Sequence, residues 1–293
     1  MLRIKCVVGA AAVLFTAFNL GRAADDETYD LRGPAPEVGQ VMTHKETLKI
    51  KDADATVKVA GQKIDLKLDI VVTDEEVIKI LAVKGRDVIK SQARIIKQRV
   101  DTTANVGGKK TSQTEPTELE KETIISVWDG KNWKHSLVDT KPTDKQKKEL
   151  DNRNGLENDD ELYPEEKVKV GYTWTVDRSE ALGKILGSPF ADVKGKVNRK
   201  FTKIDEVDNE KVAVIESTAK LTAKMKEDGE PTTDAELEMK ITTWRSIKTG
   251  TTVKEKFDGK IKLAGTVKMD DMNVEMTLSG AIGSESTTKL QAK

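Results

Sequence analysis

Two side chains, His44 and His135, titrate near neutral pH without help from their surroundings, and the search for chemistry begins with them. Each sits among alternating apolar and polar residues, and no short His spacing or HExxH-like pattern joins them into a metal site. The segment DNRNGLENDDE, rich in Asp and Asn around a glycine, invites comparison with a calcium loop. With Gly155 at the sharp turn, Asn152, Asn154 and Glu161 fall on ligand positions, but the first ligand falls on Leu150. The loop fails at its first residue, and a helix C-cap followed by an acidic surface loop is the better reading. The chain has no GxSxG elbow, no glycine-rich phosphate loop followed by Lys and Ser or Thr, and no dinucleotide fingerprint. With 50 Asp and Glu residues some carboxylates lie close by chance, so spacing nominates no glycosidase-like acid and base. Trp128, Trp133, Trp174 and Trp244 read as core or sheet-edge packing. No catalytic, cofactor-binding or metal-binding residue is assigned, no cofactor is implied, and the chain reads as a non-enzyme more readily than as an enzyme.

Composition narrows the partners. Lys+Arg and Asp+Glu both number 50, so no net field draws in phosphate backbones, and nucleic acid is not expected as a partner. Aromatic residues are 4% of the chain, too few for a surface built on exposed stacking rings. The only cysteine, Cys6, lies in an apolar stretch, CVVGAAAVLFTAFNL, preceded by Arg3 and Lys5 and followed by GRAADDET. That layout is a secretory signal at residues 1–23, with cleavage expected near Ala23, so the mature chain has neither thiol nor disulfide and folds on its core alone. After Ala23 no segment is apolar enough to span a membrane. The expected location is extracytoplasmic, periplasmic or secreted.

The elements that must position any site are strands. Residues 24–40 read as an extended leader, with LRGPAPEVG at their centre. From Val41 the pattern alternates: Val57 and Val59, then Ile64, Leu66, Leu68, Ile70 and Val72, with polar residues between most of them. It returns at Val193 to Val197, Val212 and Val214, Leu221 to Met225 and Leu237 to Ile241. Ile261 to Met269 and Val274 to Ile282 read as a long hairpin connected by DDMN. Residues 74–100 fit either period, and their β-branched content with Gly85 favours a strand pair. Helices are expected at TDKQKKELDNRNG, capped by Thr143 with Gln146, stopped at Gly155 and solvated, and at DRSEALGKILGSP, which should pack on the sheet through Leu182, Ile185 and Leu186. The fold class is mainly β: a long, strongly curved antiparallel sheet, half-barrel or open barrel, with two short helices. Residues 41–293 form one β-rich domain, either as one sheet or as two halves, 41–140 and 165–293, joined by a polar helical segment at 141–164.

The stretch YPEEKVKVGYTWTVD at 163–177 resembles a pattern in uncharacterised exported bacterial proteins, carried here by Pro164, Gly171 and Trp174. The resemblance covers the second half and brings no activity with it. It implies that these residues start a strand, form a close-packed turn and anchor the core. More loosely, the order of elements is similar to periplasmic lipoprotein carriers, whose curved half-barrel encloses an apolar cavity. That likeness implies a non-enzymatic binding protein whose concave face holds an apolar or lipid-like ligand. The alternative is a structural or interaction module whose partner is an envelope protein.

Overall fold

The computed structural model describes residues 27–59, 61–186, 190–227, 230–269 and 272–291; the expected secretion signal, and the terminators Gly187 and Pro189, lie outside them. Alternation from Val41 onward builds β1 (Val41–Val59), β2 (Gln62–Lys84) and β3 (Asp87–Val106). The ambiguous stretch 74–100 is strand on both sides of Gly85, whose φ of +62° suits the tight hairpin turn there. Shorter strands follow: β4 (Lys109–Pro116), β5 (Thr123–Trp128) and β6 (Trp133–Leu137). After helix α1 (Asp144–Asp151) come β7 (Thr173–Val176), helix α2 (Ser179–Leu186), and the long strands β8 (Phe190–Val207), β9 (Glu210–Glu227), β10 (Glu230–Ser246), β11 (Thr252–Met269) and β12 (Met272–Leu290).

All twelve strands join one antiparallel sheet that does not close, in the order β6-β5-β3-β2-β1-β12-β11-β10-β9-β8-β7, with β4 on β3. The first long strand pairs with the last, Ile50 opposite Ile282, so the two β-rich stretches are continuous across the centre. The expected β11–β12 hairpin forms with Ile261 opposite Gly280.

One face of this sheet carries the core. Leu221, Leu237, Ile261, Leu278 and Phe201 are buried in a single cluster that includes Ala181 and Leu182 of α2. The opposite face is a ladder of mixed charge, with Lys220 on Glu238 at 2.8 Å, Lys224 on Asp234 at 2.6 Å and Lys254 on Glu285 at 2.7 Å. Charge at that density belongs in water, since a lipid-facing sheet surface carries an apolar band.

The first helix departs from expectation twice. Thr143 and Gln146 do form the capping box, but the helix ends at a C-cap on Asn152, and Gly155 is no stop. Gly155 is needed because a Cβ there would fall 2.1 Å from the Trp133 ring. Nor is the helix solvated: Leu150 is buried with Ile95, Leu119, Ile124 and Leu137 in a second, smaller cluster. One apolar side chain suffices to dock it because the receiving hollow is already lined by β3, β5 and β6.

Candidate functional site

Directly paired residues share a face, so rungs can be followed across the sheet. One apolar rung runs Val197, Ala219, Met239, Gly259, Ile282, Ile50. The next, Arg199, Ser217, Ile241, Phe257, Ser284, Leu48, is mixed. The one beyond it is polar from β10 onward: Phe201, Ile215, Thr243, Glu255, Ser286, Glu46, Asp74, Gln98. The inner face thus passes from apolar to charged along the strands.

Over the polar end lies the connection from β6 to β7, residues 138–172, which leads from one edge of the sheet to the other. We call it the strap. Arginines tie it down. Arg153 pairs with Glu76 of β2, and Arg86, in the β2–β3 turn, pairs with Asp160. Arg245 of β10, 2% exposed, grips Asp159 through two bonds of 2.6 and 2.9 Å and also donates to the Leu31 carbonyl. Arg199 donates to the Leu162 carbonyl at 3.0 Å. The Tyr163 ring lies between two guanidiniums, 3.7 Å from that of Arg245 and 4.8 Å from that of Arg199. Burial opposes the charge on Arg245, but Tyr163 and Asp159 outweigh it and hold its pKa above the ordinary range.

Two adjoining recesses of about 360 and 340 Å³ open between strap and sheet, and His44, Glu157, Asn158, Asp159, Thr252 and Thr288 line both. The second also contains Val197, Ile241, Ile185, Arg199 and Glu255. Burial pushes the Glu255 carboxyl above its usual range, against a 2.8 Å hydrogen bond from Thr243 and the attraction of Arg199. On the same rung, burial and then Glu76 push Asp74 up, and its Oδ1 has no hydrogen-bond partner among the described residues. Burial disfavours the His44 cation, yet Glu46, Glu76 and Asp74 together raise its pKa.

His44 meets the Thr288 hydroxyl at 3.1 Å and Glu46 at 4.0 Å, an order suggestive of a nucleophile, base and acid. The last contact is too long for a hydrogen bond. The surrounding backbone pairs β1 with β12 instead of presenting the N–H groups acyl transfer needs. His135 lies elsewhere, on β6, bonded to Ser126 at 2.9 Å and stacked on Trp133, with burial lowering its pKa. The rejected calcium positions scatter: Leu150 is core, Asn154 lines the second recess, and Glu161 pairs with Arg178 and Lys184. Among the described residues no group of three or more His, Cys, Asp or Glu is placed to hold a metal ion, and no helix is long and apolar enough to cross a membrane.

Trp174 is an anchor, its indole donating to the Leu162 carbonyl at 2.9 Å, whereas Pro164, expected to start a strand, only follows the short 3-10 turn Asp160–Leu162, and the next strand, β7, begins at Thr173. Gly171, expected to be close-packed, has nothing within 4 Å of a built Cβ; its φ of +94° is what calls for glycine. The leader is docked, with Tyr29 bridged to Val168 and Leu31 buried.

No protein-family model matches the chain, and no curated protein matches it in sequence. Among solved structures, a DUF1329 family protein from Desulfovibrio piger is similar at 10% identity, covering 85% of each chain, with a TM-score of 0.18. The COG4313 outer membrane channel of Pseudomonas putida F1 is similar at 11% identity over 90% of this chain and 100% of that one, with a TM-score of 0.23. The outer membrane protein OprG of Pseudomonas aeruginosa aligns at 8% identity over 89% and 99%, with a TM-score of 0.19. Scores this low transfer neither shape nor role.

Proposed function

We propose that the protein is an extracytoplasmic, non-enzymatic binding protein that holds a small amphipathic ligand between the strap and the inner face of the sheet. The observation that carries this reading is the pair of adjoining recesses, of about 360 and 340 Å³, at the boundary between apolar and charged rungs. Volumes of a few hundred Å³, with an apolar wall and a few convergent polar groups, suit small-molecule binding. The site differs from a lipid tunnel through the core, because Leu221, Leu237, Ile261 and Leu278, deeper on the same face, are packed among themselves and against neighbours. The address rests on the basic, apolar and small-residue order of residues 1–23.

Native mass spectrometry of protein purified from its own compartment, followed by solvent extraction, tests the proposal. A stoichiometric amphiphile is expected, and Thr288→Trp, which fills the shared part of both recesses, should abolish it. A ligand-free mass that stays unchanged after incubation with amphiphile mixtures would overturn the reading and favour an interaction module of the envelope.

A further inference from the structure

The second recess presents a guanidinium and a carboxyl that are not paired with each other. Arg199 is 5% exposed, with Nε donating to Ser217 at 3.2 Å and Nη1 to the Leu162 carbonyl. The rings of Tyr163 and Trp174 cover it at 4.8 and 5.6 Å. None of these partners is a carboxylate, and among the described residues no ion pair reaches Arg199. Glu255 stands three strands away, on β11 and one rung further along, bonded to the Thr243 hydroxyl and likewise in no ion pair among the described residues. Both side chains line the same recess of about 340 Å³.

Buried charges are ordinarily paired, because an isolated one forfeits its hydration. Here the two attract across the recess but stay apart, each held by a hydroxyl: Ser217 for the cation, Thr243 for the carboxyl. The other charged groups at this recess are engaged or at its rim. Asp159 belongs to Arg245, Lys184 to Glu161 at 2.7 Å, His44 faces Glu46, and Glu157 is exposed. Val197, Ile185 and Ile241 line the same recess and give it an apolar wall.

Resting on the binding recess proposed above, we infer that it selects a zwitterion, with anionic oxygens on Arg199, a primary ammonium on Glu255 and an apolar chain against Val197, Ile185 and Ile241. A guanidinium presents a fork that matches two anionic oxygens, and an ammonium donates directly to a carboxyl. The same pair of charges occurs in a free α-amino acid with an apolar side chain and in the head group of an ethanolamine phospholipid.

Isothermal titration of the full chain with 2-aminooctanoate, octanoate, octylamine and short-chain dihexanoylphosphatidylethanolamine reads the inference directly. At least one zwitterion should bind about tenfold or more tightly than either singly charged probe, since each charge-assisted contact is worth at least that factor. Which zwitterion binds identifies the source, amino acid or lipid. Glu255→Gln should bring 2-aminooctanoate down to the level of octanoate, and Arg199→Met to that of octylamine. Glu255→Gln preserves shape and keeps the test decisive if Arg199→Met does not fold. Equal binding of all the probes, or a zwitterion preference unmoved by Glu255→Gln, would overturn the inference and leave the recess standing. Failure of every probe, together with a ligand-free native mass, would remove both.

Discussion

Removing either half of the Arg245–Asp159 clamp should have unequal effects, because the two partners are unequally buried. The Arg245 side chain is 2% exposed and that of Asp159 41%. Asp159→Ala strands a guanidinium that is 2% exposed and cannot shed its proton, and should cost about 3–5 kcal/mol. Arg245→Met leaves the carboxylate close enough to water to rehydrate. What it loses is the partner of the Leu31 carbonyl and the contact with the Tyr163 ring, about 1–3 kcal/mol together. The double variant removes both charges, so it should cost little more than Arg245→Met alone, a coupling nearly as large as the cost of Asp159→Ala, about 3 kcal/mol or more. Urea unfolding of the two single variants and the double variant measures all three at unchanged slope. Additive costs, or a larger loss from Arg245→Met than from Asp159→Ala, would refute the view that the clamp's stake lies in burial of the arginine.

Glu255→Gln tests the charge on the polar rung. Burial raises the folded pKa of Glu255, so the native protein loses stability as pH rises from the ordinary carboxylate value of 4.5 through the raised one. Relative to wild type, the Gln variant should gain nothing in acid and most at neutral pH; urea midpoints showing a gain largest in acid would contradict this. Gly33→Ala should free the leader, because φ is +69° there and a Cβ would come within 2.4 Å of Gly250. A loss of about 1–3 kcal/mol and faster amide exchange near Leu31 are expected, whereas unchanged exchange would show that the leader docks elsewhere.

Much of the sheet was legible because burial on one face writes itself into period two. Leu221, Leu237 and Ile261 occur at the right parity, and each lies in the core cluster. The ambiguous stretch around Gly85 also resolved on local grounds, β-branched residues flanking a turn glycine. Strand order was not legible: that β1 pairs with β12 depends on contacts between the two ends of the domain, and no local pattern encodes them. The site was missed for a different reason. Arg199 sits on the inward parity with Val197 and Phe201, and Arg245 on that of Met239 and Ile241, so both were visible as charges on an apolar register. Without the strap their partners could not be named, since Asp159 and Leu162 belong to a segment that reads only as a polar linker.

The chemistry of the strap also accounts for the existence of a recess. A connection rich in leucine and isoleucine would settle onto Ile241 and Val197 until the packing density of a core was reached. This one packs Leu150, Leu162, Tyr163 and Val168 into the cores, but over the recess it is met by guanidiniums, whose long side chains reach carboxylates and carbonyls at fixed distances and angles. Arg245 reaches Asp159, Arg199 reaches the Leu162 carbonyl, and Arg153 reaches Glu76, so at these three points long side chains bridge strap and sheet. Such buried pairs add little net stability over apolar packing. What they supply here is a separation, and the space it leaves brings Arg199, Glu255 and the apolar wall together.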